Sequence, residues 1–183
     1  MKLQQNISKV RGTVGDLRIN ISNLSYGIHN YKLSTEPKYI GLDERFNKPI
    51  DVEVELDKSS SQIYFEATIN ADGSFECDRC LNEFEMHIGT KFEMVYMYRQ
   101  TSDLEEISDD VRIIGPDTNL IDLAEDVREF TMLALPIKIL CSDDCAGLCP
   151  TCGTNLNEKK CSCNVEEPDS YWEPLSKLLK DTK

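Results

Sequence analysis

Eight cysteines, grouped in four close pairs, constrain the folding of this 183-residue chain more than any other feature of its sequence. The pairs are Cys77 with Cys80, Cys141 with Cys145, Cys149 with Cys152, and Cys161 with Cys163. Six of the eight cysteines lie within residues 141–163, where large apolar side chains are scarce. A segment of this composition cannot build a hydrophobic core, so it needs a cross-link or a metal ion to become ordered.

The chemistry expected of these cysteines depends on the cellular compartment. The first six residues, Met1–Asn6, are polar and lack the hydrophobic segment typical of a secretory signal. The longest apolar stretch, Met132–Ile137, is far shorter than the roughly 18 residues of a membrane span. We therefore expect a cytoplasmic protein, in which thiols are kept reduced and close cysteine pairs are metal ligands or redox centres.

The spacing of the pairs predicts structural zinc. A Cys-x-x-Cys turn directs two thiolates to one point, and two such pairs supply the tetrahedral four-sulfur site that zinc prefers. Gly153, directly after Cys152, permits the left-handed backbone that such a turn, or knuckle, often needs. All eight cysteines are therefore candidate ligands for one or two zinc ions.

Three groupings of the four pairs into two sites are possible. In the local grouping, Cys149–Cys152 and Cys161–Cys163 share one site, and Cys77–Cys80 meets Cys141–Cys145 at the other. A second grouping joins the two Cys-x-x-Cys knuckles, as in a zinc ribbon. We favour this second grouping because both of its halves have knuckle geometry, although spacing alone does not decide between them.

Other uses of the same cysteines have weaker support. Cys145, Cys149 and Cys152 have the spacing of a radical-SAM iron–sulfur motif, but the chain is too short for the usual barrel of about 200 or more residues. A thioredoxin-like pair at Cys77 and Cys80 requires a βαβ context, whereas these residues lie between predicted strands. A thiol-based redox or metal-sensing protein stays open as the alternative function.

No enzymatic site is predicted. The two histidines, His29 and His87, lie outside the motifs of catalytic zinc. The sequence contains no Ser-His-Asp order, no P-loop and no Gly-x-Gly-x-x-Gly motif. We therefore expect no catalytic residues and no bound organic cofactor.

The chain is strongly acidic, with 33 Asp and Glu against 20 Lys and Arg and a formal net charge of −13. Residues 1–50 carry a small positive excess, which includes Lys2, Lys9 and Arg11, whereas residues 51–129 hold most of the negative charge. A surface of this sign repels a bare phosphate backbone at long range. A nucleic acid would therefore have to be contacted locally or through a basic protein.

Alternation of apolar and polar residues predicts an antiparallel sheet in the N-terminal two-thirds of the chain. The candidate strands are Leu17–Ile21, Ile50–Leu56, Gln62–Ile69 and Lys91–Tyr98. The polar residues Asp57–Ser61 predict a hairpin turn, and Asn70–Gly73 predicts the next turn.

One main helix is predicted after an acidic loop over residues 100–110. Asp122 followed by Glu125 is a capping-box pattern, apolar residues then recur at helical spacing, and Pro136 ends the helix. A short amphipathic helix is also predicted in the tail, around Trp172.

Together these elements predict an α+β fold. The expected β-rich domain covers residues 1–140 and includes the first cysteine pair. Residues 141–183 are expected to form a cysteine-rich, zinc-knuckle metal-binding segment with the tail helix.

Four segments of the chain resemble the YceD family, whose members are called large ribosomal RNA subunit accumulation proteins. They are Glu76–Leu81, Leu135–Ile137, Cys145–Asn157 and Trp172–Leu175. The order of a strand-rich part, a knuckle, an acidic loop, a helix and a cysteine-rich tail is similar over nearly the whole chain. One departure is Pro168–Tyr171, where the family usually has Asp-Pro-Arg before the aromatic residue.

The resemblance implies a non-enzymatic bacterial protein that large-subunit ribosomal RNA (rRNA) needs for its accumulation, through processing or assembly. Family members with fewer of these cysteines imply that the metal holds structure and performs no chemistry. Combined with the acidic surface, the resemblance implies a ribosomal protein or the pre-ribosomal large subunit as partner, with rRNA contacted locally if at all.

Overall fold

A computed structural model describes residues 15–98 and 110–163 of the chain. The predicted tail helix, the basic residues Lys2, Lys9 and Arg11, and almost all of the predicted acidic loop lie outside these residues. In the described part of the chain, no helix is both long enough and apolar enough to cross a membrane.

Seven strands and one main helix make up the described secondary structure. The strands are β1 (Arg18–Asn20), β2 (Gly27–Thr35), β3 (Ile50–Lys58), β4 (Gln62–Glu76), β5 (Glu83–Tyr98), β6 (Val111–Ile114) and β7 (Leu120–Asp122). A 3-10 turn covers Pro37–Tyr39, and the helix α1 covers Ala124–Leu133.

The main sheet has five strands in the order β2-β3-β4-β5-β6. Strands β2 to β5 form an antiparallel meander, and β6 pairs with β5 in parallel. A separate antiparallel pair joins β1 to β7. The predicted α+β class, rich in antiparallel strands with one main helix, is confirmed.

Strict alternation along β3 explains why this sheet has one buried face. Ile50, Val52, Val54 and Leu56 are at most 2% exposed, whereas the residues between them face solvent. Side chains two residues apart on a strand lie on the same face, so the pattern directs the four apolar residues into the core. Burial of each such side chain contributes about 1.5–3 kcal/mol.

The turn predicted at Asn70–Gly73 is wrong, because β4 continues through it to Glu76. Gly73 allows the backbone of β4 to lie close to that of Arg45. A Cβ at this position would be only 2.6 Å from the carbonyl oxygen of Arg45. That same oxygen accepts a hydrogen bond from the N–H of Ser74 at 2.8 Å. The glycine is therefore present because another backbone lies close to the strand at this point, and the chain does not turn there.

Helix α1 packs on the sheet through its apolar side. Leu123 and Val127 are fully buried, and the ring of Phe130 stacks on that of Phe92 with centroids 4.5 Å apart. The predicted capping box is not formed, because Asp122 is the last residue of β7 and Leu123 takes the N-cap position. The Asp122 carboxylate still accepts a hydrogen bond from the N–H of Ala124 at 3.0 Å.

The described residues form two compact units. The first contains the described parts of Met1–Glu76 and Glu83–Ile139, and the second contains Cys77–Asn82 with the described part of Leu140–Lys183. The second unit thus takes its first six residues from the connection between β4 and β5. A domain boundary at residue 140 remains a prediction, but the compact units place the first cysteine pair with the C-terminal segment.

Candidate metal centre

The eight cysteines lie in two groups of four within the second unit. The first tetrad is Cys77, Cys80, Cys141 and Cys145, and the second tetrad is Cys149, Cys152, Cys161 and Cys163. In each tetrad all four sulfur atoms lie within 4.8 Å of one another. The local grouping is therefore the one that the structure forms, and the knuckle-to-knuckle grouping favoured from the sequence is wrong.

Distances between sulfur atoms in the first tetrad match those of a zinc site. The sulfurs of Cys77 and Cys145 are 3.8 Å apart, and those of Cys80 and Cys141 are 3.6 Å apart. Four sulfurs placed tetrahedrally about 2.3 Å from one zinc ion are about 3.8 Å from each other. A disulfide would require a separation of about 2.05 Å, so the arrangement suits a shared metal ion and does not suit paired disulfides.

The first knuckle is a tight turn held by its own backbone. The N–H of Leu81 donates to the carbonyl of Cys77 at 2.9 Å, and the N–H of Cys77 donates to the carbonyl of Asn82 at 3.0 Å. Leu81 has a φ of +59°, which is uncommon for a residue other than glycine. This position, directly after the second cysteine, corresponds to Gly153 in the other knuckle.

The second knuckle repeats this geometry with a glycine. Gly153 has a φ of +71°, and its N–H donates to the carbonyl of Cys149 at 2.9 Å. The predicted left-handed backbone at Gly153 is therefore confirmed. The thiol of Cys152 donates a hydrogen bond to the hydroxyl oxygen of Thr154 at 3.2 Å.

Two residues that sequence reasoning did not single out support the first tetrad. The side-chain amide of Asn157 donates to the sulfur of Cys145 at 3.3 Å, while its oxygen accepts from the N–H of Ala146 at 2.8 Å. The guanidinium of Arg79 donates to the carbonyl of Cys145 at 2.9 Å. Groups that hydrogen-bond ligands in this way fix the ligands' orientation around a metal ion. Arg79 could have been noticed from its place inside the first knuckle, but no local signal marks Asn157.

Hydrogen bonds and mutual repulsion separate the thiol pKa values within each tetrad. Burial raises the pKa of the Cys77 thiol, but hydrogen bonds from neighbouring backbone N–H groups outweigh burial and lower it to about 6. The hydrogen bond with Cys80 raises the pKa of Cys141 to about 12. The second tetrad behaves alike: backbone N–H groups lower the pKa of Cys149 to about 6, and Cys152 raises that of Cys163 to about 12. Four thiolates cannot coexist so close together unless a cation offsets their charge.

The two tetrads differ in their accessibility to solvent. In the first, Cys77, Cys80 and Cys145 are at most 3% exposed, and only Cys141 is open to solvent. In the second, only Cys149 is buried. Small molecules such as chelators therefore reach the second tetrad more easily.

Neither histidine belongs to a tetrad. His29 Nε2 is 2.9 Å from the carbonyl oxygen of Ser25, and His87 Nδ1 is 2.9 Å from a carboxylate oxygen of Asp72 on the neighbouring strand β4. These contacts are local ones within the first unit. Each tetrad consequently consists of thiols alone.

A family model described as "Large ribosomal RNA subunit accumulation protein YceD" matches residues 65–179, a range that contains all eight cysteines. The chain belongs to the YceD family.

Curated relatives of this YceD-family chain come from plants and bacteria. The "Large ribosomal RNA subunit accumulation protein YCED homolog 1, chloroplastic" of Arabidopsis thaliana is 38% identical over 63 residues, which are 34% of this chain and 20% of the plant protein. An uncharacterized protein of Mycobacterium leprae is 26% identical over 139 residues, which are 72% of this chain and 59% of that protein. The uncharacterized protein YlbN of Bacillus subtilis is 29% identical over 75% of this chain and 78% of its own length.

The matched regions thus span only a fifth of the plant YceD protein and about three-fifths of the mycobacterial one. No solved structure matches this YceD-family chain significantly.

Proposed function

We propose that this YceD-family protein is a non-enzymatic factor that supports the accumulation of large-subunit rRNA by helping its processing or assembly. Membership of the family supports the link to rRNA. The observation that carries the molecular part of the proposal is the pair of all-thiol tetrads, each with its sulfurs within 4.8 Å of one another and the first with the sulfur separations of a zinc site.

The composition of the tetrads supports a structural role for zinc. Catalytic zinc keeps one coordination position open for water or substrate and usually takes histidine or carboxylate ligands. Each tetrad here would surround its zinc ion with four thiolates and leave no open position. The described part of the second unit contains an isolated β-bridge but no helix or strand, so its metal ions would contribute directly to its folding.

Zinc would also make the protein more acidic. A zinc ion bound by four thiolates carries a net charge of about −2, so two such sites would take the chain from −13 to about −17. Such a surface favours a basic partner. We propose that the partner is a basic ribosomal protein, or the pre-ribosomal large subunit that contains it, in the cytoplasm.

The rRNA part of the proposal is tested in cells that lack the protein. The ratio of large-subunit to small-subunit rRNA should fall, and the wild-type gene should restore it. An unchanged ratio would contradict the proposed function. Affinity purification from extract at moderate salt tests the partner: we expect ribosomal proteins, and recovery of RNA without any ribosomal protein would contradict protein-mediated action.

Exposure of the second tetrad favours one alternative function, a thiol-based redox or metal sensor. Zinc content and thiol titration of freshly purified protein distinguish the two. About two zinc ions per chain with protected thiols would support structural sites. Metal-free protein with a reversible disulfide would instead support a redox sensor.

A further inference from the structure

A cleft of about 850 Å³ opens on the first unit, and no cysteine lines it. Four segments surround it: the loop after β1, the turn between β3 and β4, the end of β5 and the turn before β7. The lining residues that matter most are Ser25, Tyr26, Lys58, Ser60–Ser61, Tyr98 and Asn119. A volume of this size lies within the range of about 300–1,000 Å³ that ligand pockets usually have.

The cleft differs in charge from the rest of this acidic chain. None of its lining residues is acidic; Asp57 and Asp117 are chain neighbours of lining residues but do not line it. Lys58, its one cation, donates to the carbonyls of Ile21 and Leu24 at 2.8 and 3.0 Å. Within the described residues Lys58 forms no ion pair with a carboxylate, so its positive charge is not neutralised.

The two hydrogen bonds of Lys58 also fix the position of this charge. A lysine ammonium has three N–H donors, and two are directed at backbone carbonyls that hold the group in the lining of the cleft. The hydroxyls of Ser22 and Ser59 already donate to Asn20 and to the Gln62 carbonyl. The third donor of Lys58, together with the hydroxyls of Ser25, Ser60 and Ser61, can bind the oxygens of an anion. This combination suits a single phosphate group.

Two tyrosine side chains, Tyr26 and Tyr98, also line the cleft. The side chain of Tyr26 is 72% exposed at the cleft and is therefore free to present its ring to a ligand. Tyr98 lines the same cleft; burial raises the pKa of its hydroxyl, and the nearby Tyr26 adds to this effect. Exposed aromatic rings next to a cation are the features on which unpaired bases stack in single-stranded RNA sites.

We propose that this cleft binds one nucleotide of single-stranded RNA, with the phosphate at Lys58 and the base on Tyr26. The inference rests on the proposed function, since it identifies where an rRNA factor would touch RNA. It also agrees with the charge of the chain. Charges further away than a Debye length, about 8 Å at physiological salt, are largely screened, so one nucleotide can bind locally where a duplex lying across the acidic surface would be repelled.

Binding is tested by fluorescence anisotropy of the full-length, zinc-loaded protein with a labelled, mixed-sequence single-stranded RNA of about ten nucleotides, a length typical of single-strand sites. We expect Tyr26→Ala to weaken binding about 5- to 150-fold, the range that corresponds to losing one stacked base. Tyr39→Ala is the matched control, because Tyr39 is 62% exposed on the same unit but does not line the cleft. Its affinity should equal that of the wild type.

The role of the cation is tested separately by salt dependence. Lys58→Gln should reduce the slope of log affinity against log salt by about one, as expected when one phosphate contact is lost. The matched control is Lys38→Gln. This variant removes an exposed lysine that lies over the Tyr39 ring, and it should leave the slope unchanged. Circular dichroism of each variant confirms that it is folded.

Three outcomes would overturn the inference: equal binding by the Tyr26→Ala and Tyr39→Ala variants, tighter binding of duplex RNA than of single strands, or tighter binding of free uridine monophosphate than of the oligonucleotide. The last would assign the cleft to free nucleotides. None of these results bears on the proposed function. That function is tested separately, by the ratio of large-subunit to small-subunit rRNA in cells. If the ratio of large-subunit to small-subunit rRNA falls in deletion cells but the protein binds no RNA in vitro, only the proposed RNA site in the cleft is refuted.

Discussion

Removal of one pair of ligands from each tetrad should destabilise the protein unequally. The compared variants are Cys77→Ser/Cys80→Ser, which opens the first tetrad, and Cys161→Ser/Cys163→Ser, which opens the second. Both replace two thiols by hydroxyls of similar size, so they differ chiefly in which cross-link is lost. Each variant should retain about one zinc ion per chain, measured by mass spectrometry of the purified protein.

The size of each effect follows from the length of chain that the cross-link closes. In the first tetrad the nearest ligands of the two pairs, Cys80 and Cys141, are 61 residues apart in the sequence. Loop-closure entropy then gives a stabilisation of about 4 kcal/mol relative to the unlinked unfolded chain. In the second tetrad Cys152 and Cys161 enclose a much shorter loop, for which the same relation gives about 2.5 kcal/mol.

Urea unfolding of zinc-loaded protein, followed by circular dichroism, measures the free energy of unfolding of each variant. We expect the first variant to lose more free energy than the second, by about 1.5 kcal/mol. Equal losses, or a larger loss on opening the second tetrad, would refute the assignment of the long cross-link to the first. Unchanged stability of the wild type after complete zinc removal would refute structural metal altogether.

Three further predictions concern metal lability and packing. A chromogenic chelator should remove zinc in two phases, the faster from the second tetrad, because only one of its four cysteines is buried, against three in the first; a single phase would contradict this. Asn157→Ala should weaken zinc binding by the first tetrad about 10- to 100-fold, since it removes the hydrogen bond to a ligand sulfur, and chelator competition should show the second tetrad unchanged as an internal control. Gly73→Ala should cost about 1–3 kcal/mol in urea unfolding, because its Cβ would overlap the Arg45 carbonyl, whereas Gly89→Ala, whose nearest neighbour is 3.5 Å away, should cost less.

Local periodicity predicted β3, the first half of β4 and the second half of β5, but it missed β2 and β6. The hairpin of β3 and β4 could be predicted because each strand alternates strictly and a polar turn separates them. The Asn70–Gly73 error shows where such reasoning ends. A glycine that relieves a contact with a distant backbone carries the same signal as one that makes a turn, and only the position of Arg45 distinguishes them.

The cleft on the first unit could not have been found from the sequence. Its lining comes from four separate segments, and none of them carries a motif. Tyr26, Lys58 and Asn119 are ordinary residues of loops and strand ends until the topology brings them together. The helix start was misjudged for a related reason, since pairing of β7 with β1 holds Asp122 in a strand.

The sequence by itself determined which cysteines act in pairs. A spacing of one to three intervening residues lets one turn direct two thiolates to the same point. This geometry depends only on the local backbone, as the left-handed Gly153 confirms. Only the tertiary structure decided which pairs meet. The first knuckle interrupts the hairpin of β4 and β5, and its partners, Cys141 and Cys145, follow some sixty residues later. No short-range pattern encodes a contact over such a distance, because it forms only after the intervening chain has folded and offset the entropy of closing the loop.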